Sequence, residues 1–291
     1  MGPEPWPGLQ RDPDGSFVLV VDESLVRGDG RLFGGAGAAA SVVAVEAATD
    51  GRLVWLTVQF ISSAEVGDQI NLRVDPLASG RRTNQVRLTA LAGDQVVLSA
   101  VGATVRSGSP SRATTVGAAM PLVARPEEGR PWKPRFRLGS RSSNLGPFAS
   151  ADFREAHGPG GRVGVWARMR HAAPSAATAA YLADVLPGVI IDGAGRVVAG
   201  SSLDNTIRCG IALGTEWVLL EPDPPLIEGG YLHCSARLWS SSGALFALVQ
   251  QTAALHAPSE RRTSGPTGRR IEQSAGLLSG ELVWGSDVSP R

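Results

Sequence analysis

The feature that most limits what this chain can become is a pattern that occurs twice. An alanine- and glycine-rich stretch, Leu32 to Ala48, is followed by four strand-like runs, 53–62, 69–76, 83–92 and 95–105. A second alanine-rich stretch, Ser175 to Leu186, is followed by 197–208, 217–221, 230–240 and 244–255. The separators are turn formers such as Val66-Gly67-Asp68 and Ala92-Gly93-Asp94, which cut the runs into an antiparallel meander. Laid over one another, Val66-Gly67-Asp68 falls on Leu213-Gly214-Thr215, Asp75-Pro76 on Asp223-Pro224, and Ala92-Gly93-Asp94 near Ser242-Gly243. This is an internal duplication with a period too long for a solenoid.

Each repeat opens on a helix that is apolar nearly all round. Between Leu32 and Val45 there is no charge, and Gly34, Gly35 and Gly37 sit where helix propensity alone would reject them. Such a helix must be enclosed by protein, and its glycines allow another backbone or a ligand to come close. Gly35-Ala36-Gly37-Ala38-Ala39-Ala40 formally matches a dinucleotide fingerprint, but the context argues against one. A polar turn, Arg27 to Arg31, stands where a buried strand is required, and an antiparallel meander follows. The competing and favoured reading is a central helix wrapped by a curved antiparallel sheet. Ser175 is the expected N-cap of the second helix and Pro187-Gly188 its expected stop.

Four segments are expected: a first repeat over 16–106, a linker of little regular structure over 107–162, a second repeat over 163–256, and a tail over 257–291. Residues 1–15 read as a loose, proline-rich arm. With 28 basic and 27 acidic residues, the net charge of +1 gives no electrostatic reason to expect nucleic acid. No uncharged run is as long as a membrane span. Cys209 and Cys234 make neither a disulfide framework nor a zinc site, so two reduced thiols, a cytoplasmic protein and no metal are expected. No cofactor is called for.

The residues that carry a family likeness are Phe33-Gly34-Gly35, Trp166, Tyr181-Leu182-Ala183-Asp184, Ser202-Leu203-Asp204, Glu216-Trp217-Val218-Leu219 and Val249-Gln250. In that order and spacing, over about 17–256, the chain resembles the type II acyl-CoA thioesterases. The resemblance implies an α+β double hotdog, two helix-wrapped antiparallel sheets joined into one. It implies an acyl-CoA substrate, hydrolysed to free fatty acid and CoA by an activated water. It also implies an Asp, a Ser or Thr, and a Gln as catalytic set, which fall on Asp184, Ser202 and Gln250.

The chemistry fits these residue types. A carboxylate can take a proton from water, while a hydroxyl and an amide fix that water and stabilise developing charge. Gln250 and Gln251 must face opposite sides of a strand, and the likeness selects Gln250. Asp204 is read as structural or supporting. The amides of Gly34 and Gly35 are expected to face substrate.

The chain departs from the family after Ser202, where Asn205-Thr206-Ile207-Arg208-Cys209 replaces a segment often bearing histidine and aromatic residues. That departure keeps open a non-catalytic acyl- or acyl-CoA-binding hotdog protein. A hotdog enoyl-CoA hydratase would need a helix histidine, and His157, His171, His233 and His256 all lie outside both helices. Exposed sheet edges would allow two chains to pair as a homodimer.

Overall fold

A computed structural model describes residues 6–13, 15–106, 119–133, 146–172, 174–193, 199–210 and 216–256. The elements of the first half are β1 (Leu9–Arg11), β2 (Phe17–Val20), α1 (Gly34–Thr49), β3 (Gly51–Phe60), β4 (Gln69–Ser79), β5 (Thr83–Ala92) and β6 (Gln95–Arg106). A short helix, α2 (Pro147–Ser150), leads to β7 (Ala151–Gly158) and β8 (Gly161–Met169). Then come α3 (Ala176–Ala183), α4 (Leu186–Gly193), β9 (Ala199–Cys209), β10 (Val218–Pro222), β11 (Leu226–Glu228), β12 (Tyr231–Ser240) and β13 (Leu245–His256).

All thirteen strands form one sheet in the order β1-β2-β4-β5-β6-β3-β9-β13-β12-β10-β8-β7, with β11 added on β12. The order runs outward in the same way from the β3–β9 seam on both sides. β3 matches β9, β6 matches β13, β5 matches β12, and β4 matches the broken pair β10 and β11. At the seam Thr57 and Thr206 are register partners and share a hydroxyl–hydroxyl hydrogen bond of 2.9 Å. These two are 149 residues apart. The same offset relates the bulges: β3 is irregular between Leu53 and Trp55, and β9 carries its extra residue at Leu203. The duplication is thus a two-fold pseudo-symmetry centred on the seam.

The enclosed helix is α1. Ala36, Ala38, Ala39, Ala40, Val42, Ala44 and Val45 are all buried, so helix faces that would normally meet water meet sheet or α3 instead. Ser41 satisfies its hydroxyl on the Gly37 carbonyl, 2.8 Å away. The helix ends at Asp50, whose left-handed φ of 45° returns an N–H to the Glu46 carbonyl.

On the other side, Ser175 caps α3 through a reciprocal box with Thr178. The expected stop at Pro187-Gly188 lies instead inside α4. Pro187 has no N–H to give the Ala183 carbonyl, so the helix breaks at Asp184-Val185 and restarts, with proline in its first turn where no donor is missed. By length and composition 176–193 could pass for a membrane span, but 78% of it is buried inside the protein as the second central helix.

The connector is more regular than its composition suggests. Residues 151–158 form edge strand β7, paired with β8 from Ala151↔Met169 onward, with Ala151, Phe153 and Ala156 buried. Residues 124–132 run along the free edge of β7, where Ala124, Glu155 and Trp132 make backbone hydrogen bonds of 2.8–2.9 Å. The arm is also anchored in part: β1 pairs with β2, and Trp6 is buried with its ring 5.5 Å from that of Tyr181. The expected tail over 257–291, the Ser109-Pro110 stretch and the Leu213-Gly214-Thr215 turn lie outside the described residues.

Candidate active site

Asp184 ends α3, at the one place where the second central helix breaks. The break aims its carboxylate away from its own helix and at the start of α1. There Phe33, the N-cap residue, has no side chain that can accept from the first-turn amides. Asp184 supplies the acceptor: the Gly35 N–H donates to Asp184 Oδ2 at 2.7 Å. A carboxylate at a helix N-terminus is held by that hydrogen bond and by the positive end of the helix dipole.

Gly35 must be small for this approach, since a Cβ there would fall 2.6 Å from the Tyr181 carbonyl oxygen. A Cβ at Gly34 would fall 2.8 Å from Asp184 Oδ2 itself. Both glycines that were expected to face substrate therefore seat the carboxylate, and the Gly35 amide is occupied by it.

The other carboxylate oxygen meets the sheet. Gln251 Nε2 donates to Asp184 Oδ1 at 2.6 Å and to Ser202 Oγ at 2.8 Å. Asn205 Nδ2 approaches the same Oδ1 at 3.4 Å. Asp184, Asn205 and Gln251 are all buried, at 6%, 3% and 2% exposure. Gln251 Oε1 is buried and no described protein donor reaches it. The structure thus brings Asp184 and Ser202 together through one glutamine.

That glutamine is Gln251. Gln250 lies on the exposed face of β13 and does not join the cluster. The reason is strand alternation: Ala247, Val249, Gln251 and Ala253 form the buried row, and Gln250 belongs to the other. The apolar neighbours of Gln251 two residues away on each side carried that signal in the sequence.

Asn205 was hidden for a different reason. A spacing of three from Ser202 puts the two on opposite faces of a regular strand. The bulge at Leu203 brings both to the inner face, with Asn205 directly opposite Gln251. Asp204 turns outward, where its Oδ1 accepts from the Thr252 N–H at 2.7 Å.

Burial dominates the electrostatics of Asp184. Loss of water raises its pKa to about 6, against the lowering effects of Asn205, the Gly35 amide, Gln251 and more distant Arg27. A carboxylate tuned into this range can accept a proton near neutral pH and return it. Burial also pushes the Cys234 and Cys209 thiols up to about 12, which keeps both protonated and unreactive.

No described histidine approaches Asp184. His157 pairs with Glu155, His171 is exposed, and His233 meets Thr252 at the surface. Among the described residues no group of three His, Cys, Asp or Glu could hold a metal ion.

Two wrapped helices joined over one sheet define a double hotdog, with a buried polar cluster where the helices meet. Comparison with known proteins gives the family. The acyl-CoA thioesterase N-terminal domain matches residues 24–105 and the C-terminal domain matches residues 124–255. The chain belongs to the acyl-CoA thioesterase family and is a thioester hydrolase.

Among solved structures, a protein assigned as a thioesterase from Novosphingobium aromaticivorans is 28% identical, with a TM-score of 0.75 over 86% of this chain and 99% of that one. The tesB protein of Mycobacterium avium subsp. paratuberculosis is 19% identical, with a TM-score of 0.68 over 86% and 96%. The acyl-CoA thioesterase II TesB2 of Mycobacterium marinum is 19% identical, with a TM-score of 0.65 over 86% and 95%. The last two speak to the fold alone. No protein of curated function matches the chain in sequence.

Proposed function

We propose that the chain hydrolyses fatty acyl-CoA by direct attack of water, with Asp184 as general base and Ser202 and Gln251 as the groups that hold the water and the thioester. The observation that carries this reading is the single hydrogen-bonded chain Asp184–Gln251–Ser202, which joins the helix break to the inner face of the sheet. Asp184 Oδ2 keeps a lone pair beyond the one given to Gly35. Gln251 Oε1 is a buried acceptor in need of a donor, which a water O–H supplies. Ser202 Oγ accepts from Gln251, so its own proton is free to be donated to the thioester carbonyl oxygen.

In the reaction, water gives a proton to Asp184 as its oxygen bonds to the carbonyl carbon. The carbonyl electrons move onto oxygen, where the Ser202 hydroxyl stabilises them. Collapse breaks the C–S bond, and the CoA thiolate leaves and takes up a proton, which restores Asp184. No covalent enzyme intermediate is needed.

The test is release of free thiol from acyl-CoAs of graded chain length. Asp184→Asn is expected to reduce kcat at least about 1,000-fold with an unchanged fold, a loss in the range of a removed general base together with a mispositioned water. Gln251→Leu is expected to cost about 100-fold, and Gln250→Leu to leave kcat within about twofold. Wild-type turnover in Asp184→Asn would remove the site assignment. The reverse ranking of the two glutamines would move the site to the outer face.

A further inference from the structure

The pseudo-symmetry of the sheet supplies an internal control for the residues of the site that lie on strands. In the paired strands, positions 149 apart are equivalent, as the Thr57–Thr206 pair on the seam shows. By that relation Ser202 corresponds to Leu53, Asn205 to Leu56 and Gln251 to Gly102. The register agrees, since Leu56 is paired with Gly102 just as Asn205 is paired with Gln251. In the first half this corner is apolar. Leu56 is 1% exposed, and a Cβ at Gly102 would fall 2.8 Å from its Cδ1. The fold therefore accepts, at the position of Asn205, a buried leucine of nearly the same shape. A buried amide is costly to desolvate unless its hydrogen bonds return the loss. An asparagine there answers a need that is absent from the other half.

On the reading that Asp184 is the base, we propose that Asn205 is a positioning residue of the thioesterase site, one that acts on the reaction through Asp184 and touches neither water nor substrate. It stands across the strand pair from Gln251, and the two amides converge on Asp184 Oδ1 from adjacent strands. Gly35 holds Oδ2 from the opposite side. The three donors fix the plane of the carboxylate, and with it the direction of the lone pair that faces the water. The two amides also bias Asp184 toward the ionised form that a base requires, against the burial that favours the acid.

Few charged groups compete with Asn205 for control of Asp184. From the loop before α1 comes Arg27, itself paired with Asp29 at 2.6 Å. From its own helix comes Tyr181, whose phenol is raised by burial and stays neutral. From β12 comes Cys234, a neutral thiol. The neighbouring Asp204 is turned to the far face. Asn205 is thus the sheet's neutral means of setting the ionisation of Asp184, beside Gln251.

The experiment is the pH profile of kcat/KM for thiol release, from pH 5 to 8.5, for the wild type, Asn205→Leu and Asn205→Asp. The wild type should show an acid limb centred near 6. In Asn205→Leu the limb should move up by about 1 pH unit, so that the loss in kcat/KM is about tenfold near pH 5, about twofold at pH 7 and nearly gone by pH 8.5. In Asn205→Asp a second acid beside Asp184 should move the limb further. KM should change less than kcat in both. Asn205→Ser, which keeps polarity but shortens the reach, should fall between wild type and leucine.

A uniform loss of rate with the limb in place would reduce Asn205 to packing and overturn the proposal. A wild-type profile in all three variants would do so as well. The folded wild type gives a reading that needs no variant. In an NMR titration the Asn205 side-chain amide signals must move with the same midpoint as the Asp184 carboxyl carbon, and an amide that ignores that titration contradicts the proposal. Full activity in Asp184→Asn would instead remove the catalytic reading itself, whatever the Asn205 variants show.

Discussion

A carboxylic acid at 6% exposure is an unusual residue to keep, and the balance around Asp184 shows what keeping it costs. Its native pKa of about 6 stands above the ordinary value of 3.8, so the folded state binds its proton more tightly than the unfolded chain does. The stability consequence runs opposite to that of a salt-bridged aspartate. Folding is favoured below the unfolded pKa, and the contribution is lost as pH rises through about 6. Asp184→Asn removes this titration and leaves all others in place. Between pH 4.5 and 8 the variant should therefore gain about 2 kcal/mol of stability relative to wild type, over and above any constant offset from altered hydrogen bonds. Urea unfolding of both proteins across that range measures it. A difference that does not vary with pH would mean that Asp184 is ordinary in both states. The residue was visible in the sequence as an acid on an apolar helix. Its true glutamine partner was visible only through the alternation of Val249, Gln251 and Ala253, a signal that family likeness at Val249-Gln250 overrode.

Elements that looked alike in the sequence have divided their work. α1 is continuous from Gly34 to Thr49, whereas its counterpart is broken in two by Pro187. The break was legible as a helix-ending signal, but its meaning was not, because the restart of α4 depends on apolar contacts with the second half of the sheet. The break creates the carboxylate site, and the first turn of α1 completes it. Gly35 is the contact between the two helices. Gly35→Ala would place a methyl carbon 2.6 Å from the Tyr181 carbonyl oxygen, a backbone atom that cannot swing aside. The helices must then separate, which is expected to lower stability by about 2 kcal/mol, as overpacking does, although alanine is the better helix former. Because the same shift stretches the Gly35–Asp184 hydrogen bond, activity should fall about tenfold or more even well below the melting temperature. Thermal unfolding together with thiol release at 20–25 °C separates the two effects; a variant stabilised by its alanine would show the helices to be less tightly opposed. The strand β7 was missed at this scale because its letters, Asp152, Arg154, Glu155 and His157, read as a solvated connector. It is an edge strand, and residues 124–132 cover the edge that could otherwise pair with a second chain.

For the molecule as a whole, duplication does not mean two domains. The sequence shows two copies of a pattern, each with enough length to suggest a unit of its own. What it does not show is that the copies share one sheet through β3 and β9, that α1 packs on α3, and that a single hydrophobic core takes residues from Trp6 to Ala253. Three links at the centre cross between halves: Gly35 to Asp184, Thr57 to Thr206, and Trp6 against Tyr181. A lone first half would leave the seam edge of β3 and the α3-facing side of α1 open to water, and a lone second half would lose the amide that holds Asp184. Neither loss is repaired within the half that suffers it, so the two should unfold as one. In urea, far-UV circular dichroism, tryptophan fluorescence and loss of thiol release should fall on a single transition with coincident midpoints. The tryptophans make this a fair test, because Trp55 lies in the first repeat while Trp166 and Trp239 lie in the second. Two separated transitions, with activity lost in the first and one set of strands surviving to the second, would show that each repeat is stable alone and that the seam is an interface between domains.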